Sequence, residues 1–304
     1  MQQILKTYLE HLCGKENVKE NFSLANATTF RIGGPAKFFV TVTRKDILVR
    51  LISTLVFIEE QYFIIGLGAN ILASDKGYNG TVIKLGFAEI VHNANFVYAD
   101  AGITTKKLSH FVKNNNLSGL EFTASIPATV GGAVFMNAGA FGSQISDICV
   151  CVDVLTTDDN TAQIQTLEST KLEFDYRTSI FQKKSNWIIV GAYFSLKQST
   201  KENIANLERE YRQKRKHHPK EPNAGSTFKR PSPDFFVGKA LDELGLKGYR
   251  IGDAQISPMH AGFIINKGNA TSTEVLELIE FIRTQIYTKH KLTLELEYKL
   301  LQDQ

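Results

Sequence analysis

Three features are scarce in this chain of 304 residues: cysteine, long apolar runs and an excess of charge of one sign. The cysteines, Cys13, Cys149 and Cys151, match neither a disulfide framework nor a zinc site, and we interpret them as buried free thiols. Cys149 and Cys151 stand two apart, so we expect them to share one face of a strand. No run approaches the roughly 18 apolar residues that span a bilayer. We therefore expect no metal site and no membrane partner.

The charges of the chain nearly balance, since 35 Lys and Arg against 31 Asp and Glu leave a net charge of +4. An excess this small does not indicate a nucleic-acid partner. Residues 212–220 are strongly basic, which is typical of a solvated helix end beside a domain boundary, with nucleic-acid binding as the alternative. Charged residues also interrupt the first twenty positions, a pattern that excludes a secretory signal peptide and predicts a cytoplasmic protein.

A segment rich in glycine and alanine runs from Gly119 to Gly142, and Glu121 is its only formal charge. Gly131 and Gly132 stand side by side in it. Backbone with such small side chains can approach a bulky ligand closely, and the amides of a glycine turn can donate hydrogen bonds to a pyrophosphate. A tight buried turn between core strands is the alternative interpretation.

A second glycine stretch, Gly66-Leu-Gly68-Ala-Asn70, follows an apolar run. It is not a Rossmann fingerprint, because Ile71 occupies the position of the third glycine and a turn-forming cluster follows where a helix would begin. The stretch predicts a strand-to-turn anion site of another kind, or a plain turn. Together the two stretches favour a large cofactor that carries phosphate.

Periodicity and turn residues predict alternating strands and helices, and the 43% hydrophobic content predicts two or three domains with full-sized cores. We expect Asp46 to cap the first long helix, within a βαβ unit, and Thr271 with Glu274 to form a capping box before the last helix. Leucines alternating with polar residues over 292–299 predict a half-buried final strand. The other predicted strands are 38–43, 62–65, 81–85, 97–101, 149–156, 187–196 and 263–266, and the predicted helices are 47–60, 104–115, 201–216, 236–245 and the one after residue 271.

Nine short motifs, each weak alone, occur in one order that resembles the UDP-N-acetylenolpyruvoylglucosamine reductase family over residues 26 to about 301. Lys229 followed by Arg230, without an inserted tyrosine loop, is similar to the shorter type II branch. The motifs are Thr29-Phe-Arg31-Ile-Gly33-Gly34-Pro35-Ala36, Gly66-x-Gly68-Ala-Asn70-x-Leu72, Gly119-Leu-Glu121, Ile126-Pro127-x-Thr129-x-Gly131-Gly132-Ala133, Met136-Asn137-Ala138-Gly139-Ala-x-Gly142, Tyr176-Arg177-x-Ser179-x-Phe181, Ala224-Gly225-Ser226-x-Phe228-Lys229-Arg230-Pro231, Gly245-Leu-Lys247-Gly248 and His260-Ala-Gly-Phe-Ile-Ile-Asn266.

The resemblance implies an α+β fold: an FAD-binding domain of the vanillyl-alcohol-oxidase (PCMH) type in two α+β subdomains, plus a C-terminal α+β substrate-binding domain. The implied boundaries are 1–85 and 86–199 for the two subdomains and 200–304 for the substrate-binding domain, with the option that the last strand packs back on the FAD domain. The family precedent favours a monomer.

The resemblance also implies non-covalent FAD and NADPH-dependent reduction of UDP-N-acetylenolpyruvoylglucosamine to UDP-N-acetylmuramate for peptidoglycan. NADPH and the enolpyruvyl substrate would use the same site in turn. Ala69, Ser125 and Ala128 depart from the family's usual serine, glycine and glycine, each by an atom or two. The implied cofactor-binding residues are Ile65, Gly66, Gly68, Ala69, Asn70, Ile71, Leu72, Ser125, Ile126, Pro127, Ala128, Thr129, Gly131, Gly132, Ala133, Asn137, Gly139, Ala140 and Gly142.

The resemblance assigns three catalytic roles. Arg177 binds the substrate carboxylate, with a structural ion pair to Asp175 as the alternative. Ser226 donates a proton to the α-carbon, although a turn serine is the commoner role for this residue type. Glu297 hydrogen-bonds the developing enol acid; periodicity alone does not distinguish it from Glu295. The implied substrate-binding residues are Tyr176, Lys229, Arg230, His260 and Lys299, and Arg230, His260 and Lys299 are the candidates for the diphosphate.

Two rival functions remain open from the sequence. One is a flavin oxidase of the same FAD fold that acts on an alcohol or aldehyde and tethers its flavin through a histidine. The nearest histidines, His92 and His110, lie outside both glycine stretches. The other is a nucleic-acid-binding protein that uses the basic run at 212–220, which predicts no bound chromophore and steep salt dependence.

Overall fold

The protein is described by a computed structural model that covers residues 2–157 and 162–303. Its chain forms two compact units, each built from separate stretches of sequence. Unit 1 comprises residues 1–20, 38–66 and 80–215, and unit 2 comprises residues 21–37, 67–79 and 216–304. Each unit has its own hydrophobic core. The division into three domains expected from the sequence stays a prediction.

Both units contain helices and strands. The α-helices are α1 Gln2–Cys13, α2 Lys45–Phe57, α3 Thr105–Asn114, α4 Val130–Phe135, α5 Lys201–Lys214, α6 Val237–Glu243 and α7 Ser272–His290. The β-strands are β1 Val18–Ser23, β2 Pro35–Val42, β3 Tyr62–Ile65, β4 Ile71–Ala73, β5 Tyr78–Leu85, β6 Ile90–Asn93, β7 Phe96–Asp100, β8 Leu117–Ser118, β9 Gly139–Ala140, β10 Ser143–Gln144, β11 Cys149–Thr156, β12 Gln163–Glu168, β13 Ile188–Ser195, β14 Lys197–Gln198, β15 Arg250–Ile251, β16 Ala254–Ile256, β17 Ile264–Asn266 and β18 Lys299–Leu301.

Two sheets organise the first two-thirds of the chain. A four-stranded sheet has the order β1-β2-β5-β3, in which β3 and β5 are parallel. Helix α2 connects β2 to β3 as the sequence predicts, but β5 lies between those two strands. A five-stranded antiparallel sheet has the order β12-β11-β13-β7-β6. Its strand β7 ends at Asp100, directly before the turn that supports the glycine-rich segment of unit 1.

The expectation that Cys149 and Cys151 share one face of a strand is wrong in detail. Cys149 pairs with Phe194, and Cys151 pairs with the neighbouring residue Tyr193. Between these two pairs β11 therefore contains one residue more than β13. This β-bulge interrupts the two-residue alternation of side chains. The cysteines are free thiols; Cys149 is buried and Cys151 is only partly buried. Burial raises the pKa of the Cys149 thiol to about 12, as expected for an unreactive core cysteine.

Unit 2 is built around a three-stranded antiparallel sheet, β15-β16-β17, and the long helix α7. The predicted capping box at the start of α7 is confirmed: the Thr271 hydroxyl accepts from the amide of Glu274, and the Glu274 carboxylate accepts from the amide of Thr271. Val275, Leu278 and Ile279 then lie on the buried face of α7. The short parallel pair β4 and β18 places Ile71 beside Lys299.

Two local predictions are wrong. Asp46 is not the N-cap of α2, because the helix already begins at Lys45 with Arg44 as its N-cap, and the Asp46 carboxylate pairs with the Arg44 guanidinium at 2.8 Å. The final strand predicted over 292–299 is absent as a regular strand from the described chain. Leu294 is buried and its polar neighbours are exposed, as the alternation requires, but residues 292–298 make only an isolated bridge between Leu296 and Phe228, and the regular strand β18 begins at Lys299.

Among the described residues, no helix combines the length and the apolar character that a membrane span requires. In the same part of the chain, no group of three or more His, Cys, Asp or Glu has an arrangement suited to a metal ion.

Candidate active site

The glycine-rich centre of unit 1 is the start of a helix and not only a turn. Thr129 is the N-cap of α4, and its hydroxyl accepts a hydrogen bond from the amide of Gly132 at 3.2 Å. A β-carbon added at Gly131 would lie 3.0 Å from the β-carbon of Ala101, whereas one added at Gly132 would meet only the Thr129 hydroxyl, at 3.5 Å. Gly131 therefore packs against the protein, and Gly132 leaves an open face beside the helix start.

The second glycine stretch approaches the first within unit 1. A β-carbon added at Gly66 would lie 2.6 Å from the Thr129 hydroxyl oxygen, so a larger residue is excluded at Gly66. The boundary between the units follows Gly66. In unit 2, Gly68 has a φ of +62° and packs so closely that its β-carbon would lie 2.2 Å from the Ala27 carbonyl. Both glycines are thus required by close packing.

Several predicted cofactor-binding residues have buried side chains. Ile65, Leu72, Ala133 and Asn137 are each 2% exposed or less. These four residues are enclosed by the surrounding protein. The other residues in this predicted set are at least partly accessible, apart from Gly68, which is buried, and Thr129, whose hydroxyl caps α4.

Two polar atoms beside this glycine-rich loop are buried and have no hydrogen-bond partner among the described residues: the Ser125 hydroxyl and the Nε of Arg215. Another guanidinium nitrogen of Arg215 donates to the Ser125 carbonyl at 2.8 Å. Burial, followed by the nearby charge of Arg177, lowers the pKa of Arg215. Buried polar groups are normally paired, so these two atoms indicate a site for a polar ligand.

Arg215 is a site residue that the sequence interpretation missed. It belongs to the basic run at 212–220, and the prediction of a solvated helix end is wrong at this position because Arg215 is partly buried and its Nε is fully buried. The ring of Tyr211 stacks on Phe141 at 4.6 Å between centroids, and the Arg215 guanidinium lies 5.5 Å from the Phe141 ring. A signal was present: Arg215 follows Tyr211 by four residues, which places both on one face of a helix.

Arg177 occupies a strained two-residue turn. Asp175 and Thr178 exchange two main-chain hydrogen bonds around it, and the φ of Arg177 is +55°, a region that residues with side chains seldom adopt. Its guanidinium donates to the Gly139 carbonyl at 2.9 Å. The Asp175 carboxylate accepts from the amide of Tyr176. The turn thus directs Arg177 to the glycine-rich segment that the sequence singles out.

Asn137 connects that segment to the Arg177 turn. Its side-chain nitrogen donates to the Asp175 carbonyl at 3.1 Å, and its side-chain oxygen accepts from the amide of Ser146 at 2.9 Å. The residue is fully buried, with a φ of +41°. Although the sequence interpretation assigns Asn137 to cofactor binding, its amide group is engaged with the protein.

In unit 2, two segments far apart in sequence run antiparallel and bring the other two predicted catalytic residues onto neighbouring backbones. The amide of Glu297 donates to the Thr227 carbonyl, and the amide of Lys229 donates to the Glu295 carbonyl, each at 2.9 Å. Ser226 precedes Thr227 and is exposed. The side chain of Asn70 donates to the Glu297 carbonyl at 2.9 Å, so it supports this segment.

The structure distinguishes the two glutamates that periodicity leaves equivalent. Glu295 is mostly exposed and its carboxylate pairs with Lys229 at 2.5 Å, while Glu297 is half-buried. Lys299 lies near this pair: burial, followed by the charge of Lys229, lowers the pKa of its ammonium group. Lys229 and Lys299 are thereby brought together as positive groups in unit 2.

The other two diphosphate candidates are also in unit 2. The guanidinium of Arg230 lies 4.5 Å from the centroid of the Phe236 ring, a cation–π geometry. The Nδ1 of His260 accepts from the amide of Gly262 at 3.0 Å, and burial lowers the pKa of the imidazole. The geometry favours a neutral His260 with its proton on Nε2, so His260 could donate a hydrogen bond to a diphosphate but would not supply a full charge.

Comparisons with known proteins match almost the whole chain. The family model for "FAD binding domain" matches residues 36–164, and that for "UDP-N-acetylenolpyruvoylglucosamine reductase, C-terminal domain" matches residues 217–301. Proteins named UDP-N-acetylenolpyruvoylglucosamine reductase from Caldanaerobacter subterraneus and Halalkalibacterium halodurans are 38% and 40% identical to the chain, and each match covers 99% of both sequences. The crystal structure of the reductase from Thermus caldophilus matches with a TM-score of 0.80 and 34% identity, covering 92% of this chain and 97% of that one.

The predicted fold class is confirmed by these matches, which join an FAD-binding domain to a C-terminal domain characteristic of the reductases. The identities exceed 30% over almost the whole length of both chains. The chain therefore belongs to the UDP-N-acetylenolpyruvoylglucosamine reductase family and is an oxidoreductase of peptidoglycan precursor synthesis.

Proposed function

We propose that this protein binds FAD non-covalently and uses NADPH to reduce UDP-N-acetylenolpyruvoylglucosamine to UDP-N-acetylmuramate. The observation that carries the proposal is the antiparallel pairing of the Ser226 segment with the Glu297 segment. It brings together two segments about 70 residues apart that carry the residues which the family resemblance assigns to protonation of the enolpyruvyl carbon, a step that needs a positioned proton donor. The names of the relatives and the FAD-binding match support the substrate and the cofactor.

The residues of unit 1 fit FAD. The unpaired buried hydroxyl of Ser125 and Nε of Arg215 can each take part in a hydrogen bond, and the open face of Gly132 leaves room for a bulky group beside the start of α4. We propose that the two glycine stretches hold the cofactor, with Arg215 added to the predicted set. When bound, FAD supplies hydride transfer from NADPH to the distal vinyl carbon of the substrate.

The chain's own residues then stabilise the negative charge that develops on the substrate and donate the proton. Negative charge develops on the α-carbon and spreads into the carboxylate, so we assign Arg177 to bind that carboxylate with two donors. Glu297 hydrogen-bonds the developing enol acid. Ser226 donates a proton to the α-carbon, which completes addition of a hydride and a proton across the double bond. Lys229 stabilises the resulting alkoxide.

The UDP part of the substrate carries a diphosphate that needs positive groups. Arg230 and Lys299 supply charge in this proposal, His260 supplies a neutral donor and Tyr176 contacts the substrate from the turn that holds Arg177. The family resemblance further supports a cytoplasmic monomer with subdomains at 1–85 and 86–199 and a substrate domain at 200–304. No nucleic acid or membrane has a part in this function.

The experiment that tests the proposal separates the two half-reactions by stopped-flow flavin absorbance. The parent protein is expected to be yellow and to release its flavin in acid. Ser226→Ala should leave flavin reduction by NADPH near the parent rate and slow reoxidation by the enolpyruvyl substrate by roughly 10²–10⁴-fold, the usual contribution of a positioned proton donor. Ser226→Cys should recover part of that loss.

Ser232→Ala is the matched control, because Ser232 is another exposed loop serine in unit 2. It should leave both half-reactions unchanged. Equal slowing of both half-reactions by Ser226→Ala would show that Ser226 is a structural turn serine, and Lys229 would become the next candidate donor. A colourless protein without flavin would overturn the cofactor assignment.

A further inference from the structure

Thr105, which the sequence analysis does not single out, lies directly against the proposed phosphate loop of unit 1. It is the first residue of α3 and only 3% exposed. Its hydroxyl lies 2.7 Å from the Ile126 carbonyl oxygen and 3.2 Å from that of Ala128. Its amide also donates to the Ala128 carbonyl, at 2.9 Å. One threonine thus engages two main-chain acceptors of the loop, one on each side of Pro127.

These bonds determine which way the loop's peptide groups face. The carbonyl and the N–H of one trans peptide unit point in opposite directions. Because the Ala128 carbonyl faces Thr105, the N–H of Thr129 points to the opposite side of the loop. The Ile126 carbonyl is held in the same direction, and its peptide unit has no N–H because Pro127 follows. The acceptors of the loop therefore face Thr105, and a donor faces away from it.

Such an orientation suits an anion. A pyrophosphate accepts hydrogen bonds and is repelled by carbonyl oxygens, so a loop that binds it must turn its carbonyls away. Main-chain bonds also anchor the start of α4: the amide of Val130 donates to the Ile103 carbonyl at 2.7 Å, and the amide of Gly131 donates to the Ala101 carbonyl at 2.9 Å. These two amides are engaged with the protein, so the N–H of Thr129 is the donor available to the anion. Thr105 adds the hydrogen bonds of its side-chain hydroxyl to these main-chain bonds, on either side of Pro127.

We propose that Thr105 is a positioning residue for FAD: it acts through the loop and does not itself touch the cofactor. By holding the carbonyls of Ile126 and Ala128, it preorganises the loop so that these acceptors face away from the FAD phosphates and the N–H of Thr129 faces them. The inference rests on the proposed function, in which this loop binds those phosphates.

The test compares FAD binding by deflavinated variants, followed by quenching of FAD fluorescence. Thr105→Val has the same shape but no hydroxyl, and it should weaken FAD binding by about tenfold to a hundredfold, the effect of leaving buried acceptors unpaired. Thr105→Ser restores the donor and should recover most of the affinity. If Thr105→Val does not fold, Thr105→Ala supplies the same comparison with a smaller side chain.

Thr104→Val is the matched control. The Thr104 hydroxyl caps α3 by accepting from the amide of Lys107 at 3.2 Å, so its loss should lower the melting temperature without changing FAD affinity. Phosphorus NMR of bound FAD gives a second readout, since the pyrophosphate signals should shift in Thr105→Val and not in Thr104→Val.

The outcomes separate the two proposals. A parent protein that binds no FAD contradicts the proposed function itself. If the parent protein binds FAD, but Thr105→Val and Thr104→Val have the same affinity and the same phosphorus spectrum, Thr105 is only a structural residue and the positioning proposal is overturned.

Discussion

The guanidinium of Arg177 donates a hydrogen bond to the carbonyl of Gly139, with 2.9 Å between nitrogen and oxygen. This contact joins the turn of the proposed catalytic arginine to the segment proposed to hold FAD. Asn137, two residues before Gly139, donates to the carbonyl of Asp175, two residues before Arg177. Two hydrogen bonds therefore couple these segments, and disturbance of one should affect the other.

Asn137→Gly should test this coupling. Glycine tolerates the positive φ of this position, so the substitution removes the buried amide group without backbone strain. Loss of its three side-chain hydrogen bonds should cost roughly 1–3 kcal/mol of unfolding free energy. We expect the reoxidation half-reaction, which needs Arg177, to slow more than flavin reduction. Stopped-flow rates measure this, and an unchanged reoxidation rate at saturating substrate would argue against the coupling.

Gly132→Leu should abolish FAD binding while the apoprotein stays folded. Its side chain would enter the open face beside α4, where only the Thr129 hydroxyl is near. Replacing a helical glycine should even favour the helix by about 0.8–1.0 kcal/mol. Gly131→Ala is the contrasting variant, since its β-carbon would crowd Ala101 and lower stability. Flavin content and melting temperature distinguish the two effects, and stoichiometric FAD in Gly132→Leu would refute the placement.

The order of binding gives a kinetic prediction. If NADPH and the enolpyruvyl substrate occupy one site in turn, a high concentration of the substrate should inhibit flavin reduction competitively with respect to NADPH. The expected pattern is a raised apparent KM for NADPH with an unchanged limiting rate. Rapid-reaction measurements over a range of both ligands check this, and a stable ternary complex in solution would rule it out.

The Asp75 carboxylate, which accepts hydrogen bonds from the first amides of α7, should make the stability of unit 2 sensitive to acid. Burial alone would raise the pKa of Asp75, but hydrogen bonds from the amides of Ser272 and Thr273 outweigh it and lower the pKa below the ordinary 3.8. A carboxylate with a lowered pKa stabilises the folded state at neutral pH, and this contribution disappears as the pH falls below about 4.

Asp75→Asn should therefore lower stability at pH 7 and give a shallower loss of stability on acidification than the parent protein shows. Denaturant unfolding between pH 7 and pH 3 measures both effects. Asp234→Asn, at an exposed loop carboxylate, serves as the control. If the unfolding free energy falls equally steeply with decreasing pH in the parent protein and in Asp75→Asn, the Asp75 carboxylate does not contribute to the loss of stability in acid.

Much of the local structure follows from sequence patterns alone. The strand at Tyr62–Ile65 and the strand at Cys149–Thr156 have the predicted bounds, and the capping box of Thr271 and Glu274 begins α7 as expected. These features depend on residues close together in the chain. Family membership was also readable, because nine motifs in a fixed order carry more information than any one of them.

The structure differs from the predictions where a distant partner decides the outcome. The alternation over 292–299 correctly indicates the burial of Leu294, but a regular strand needs a continuous partner. Residues 292–298 pair only at the bridge to Phe228, and continuous pairing, with β4, begins at Lys299. Asp46 has the residue type of a cap, yet it pairs with Arg44 inside the first turn of α2.

The sequence by itself determined the fold class, the family and the chemical types of the candidate site: an arginine, a serine, a glutamate and two glycine stretches. Tertiary structure decided which groups meet. It buried Arg215 beside Ser125, engaged Asn137 with the Arg177 turn and paired Glu295 with Lys229. The physical reason is that propensity and periodicity act over a few residues, whereas burial, unpaired polar atoms and charge neighbours arise only when distant parts of the chain pack together.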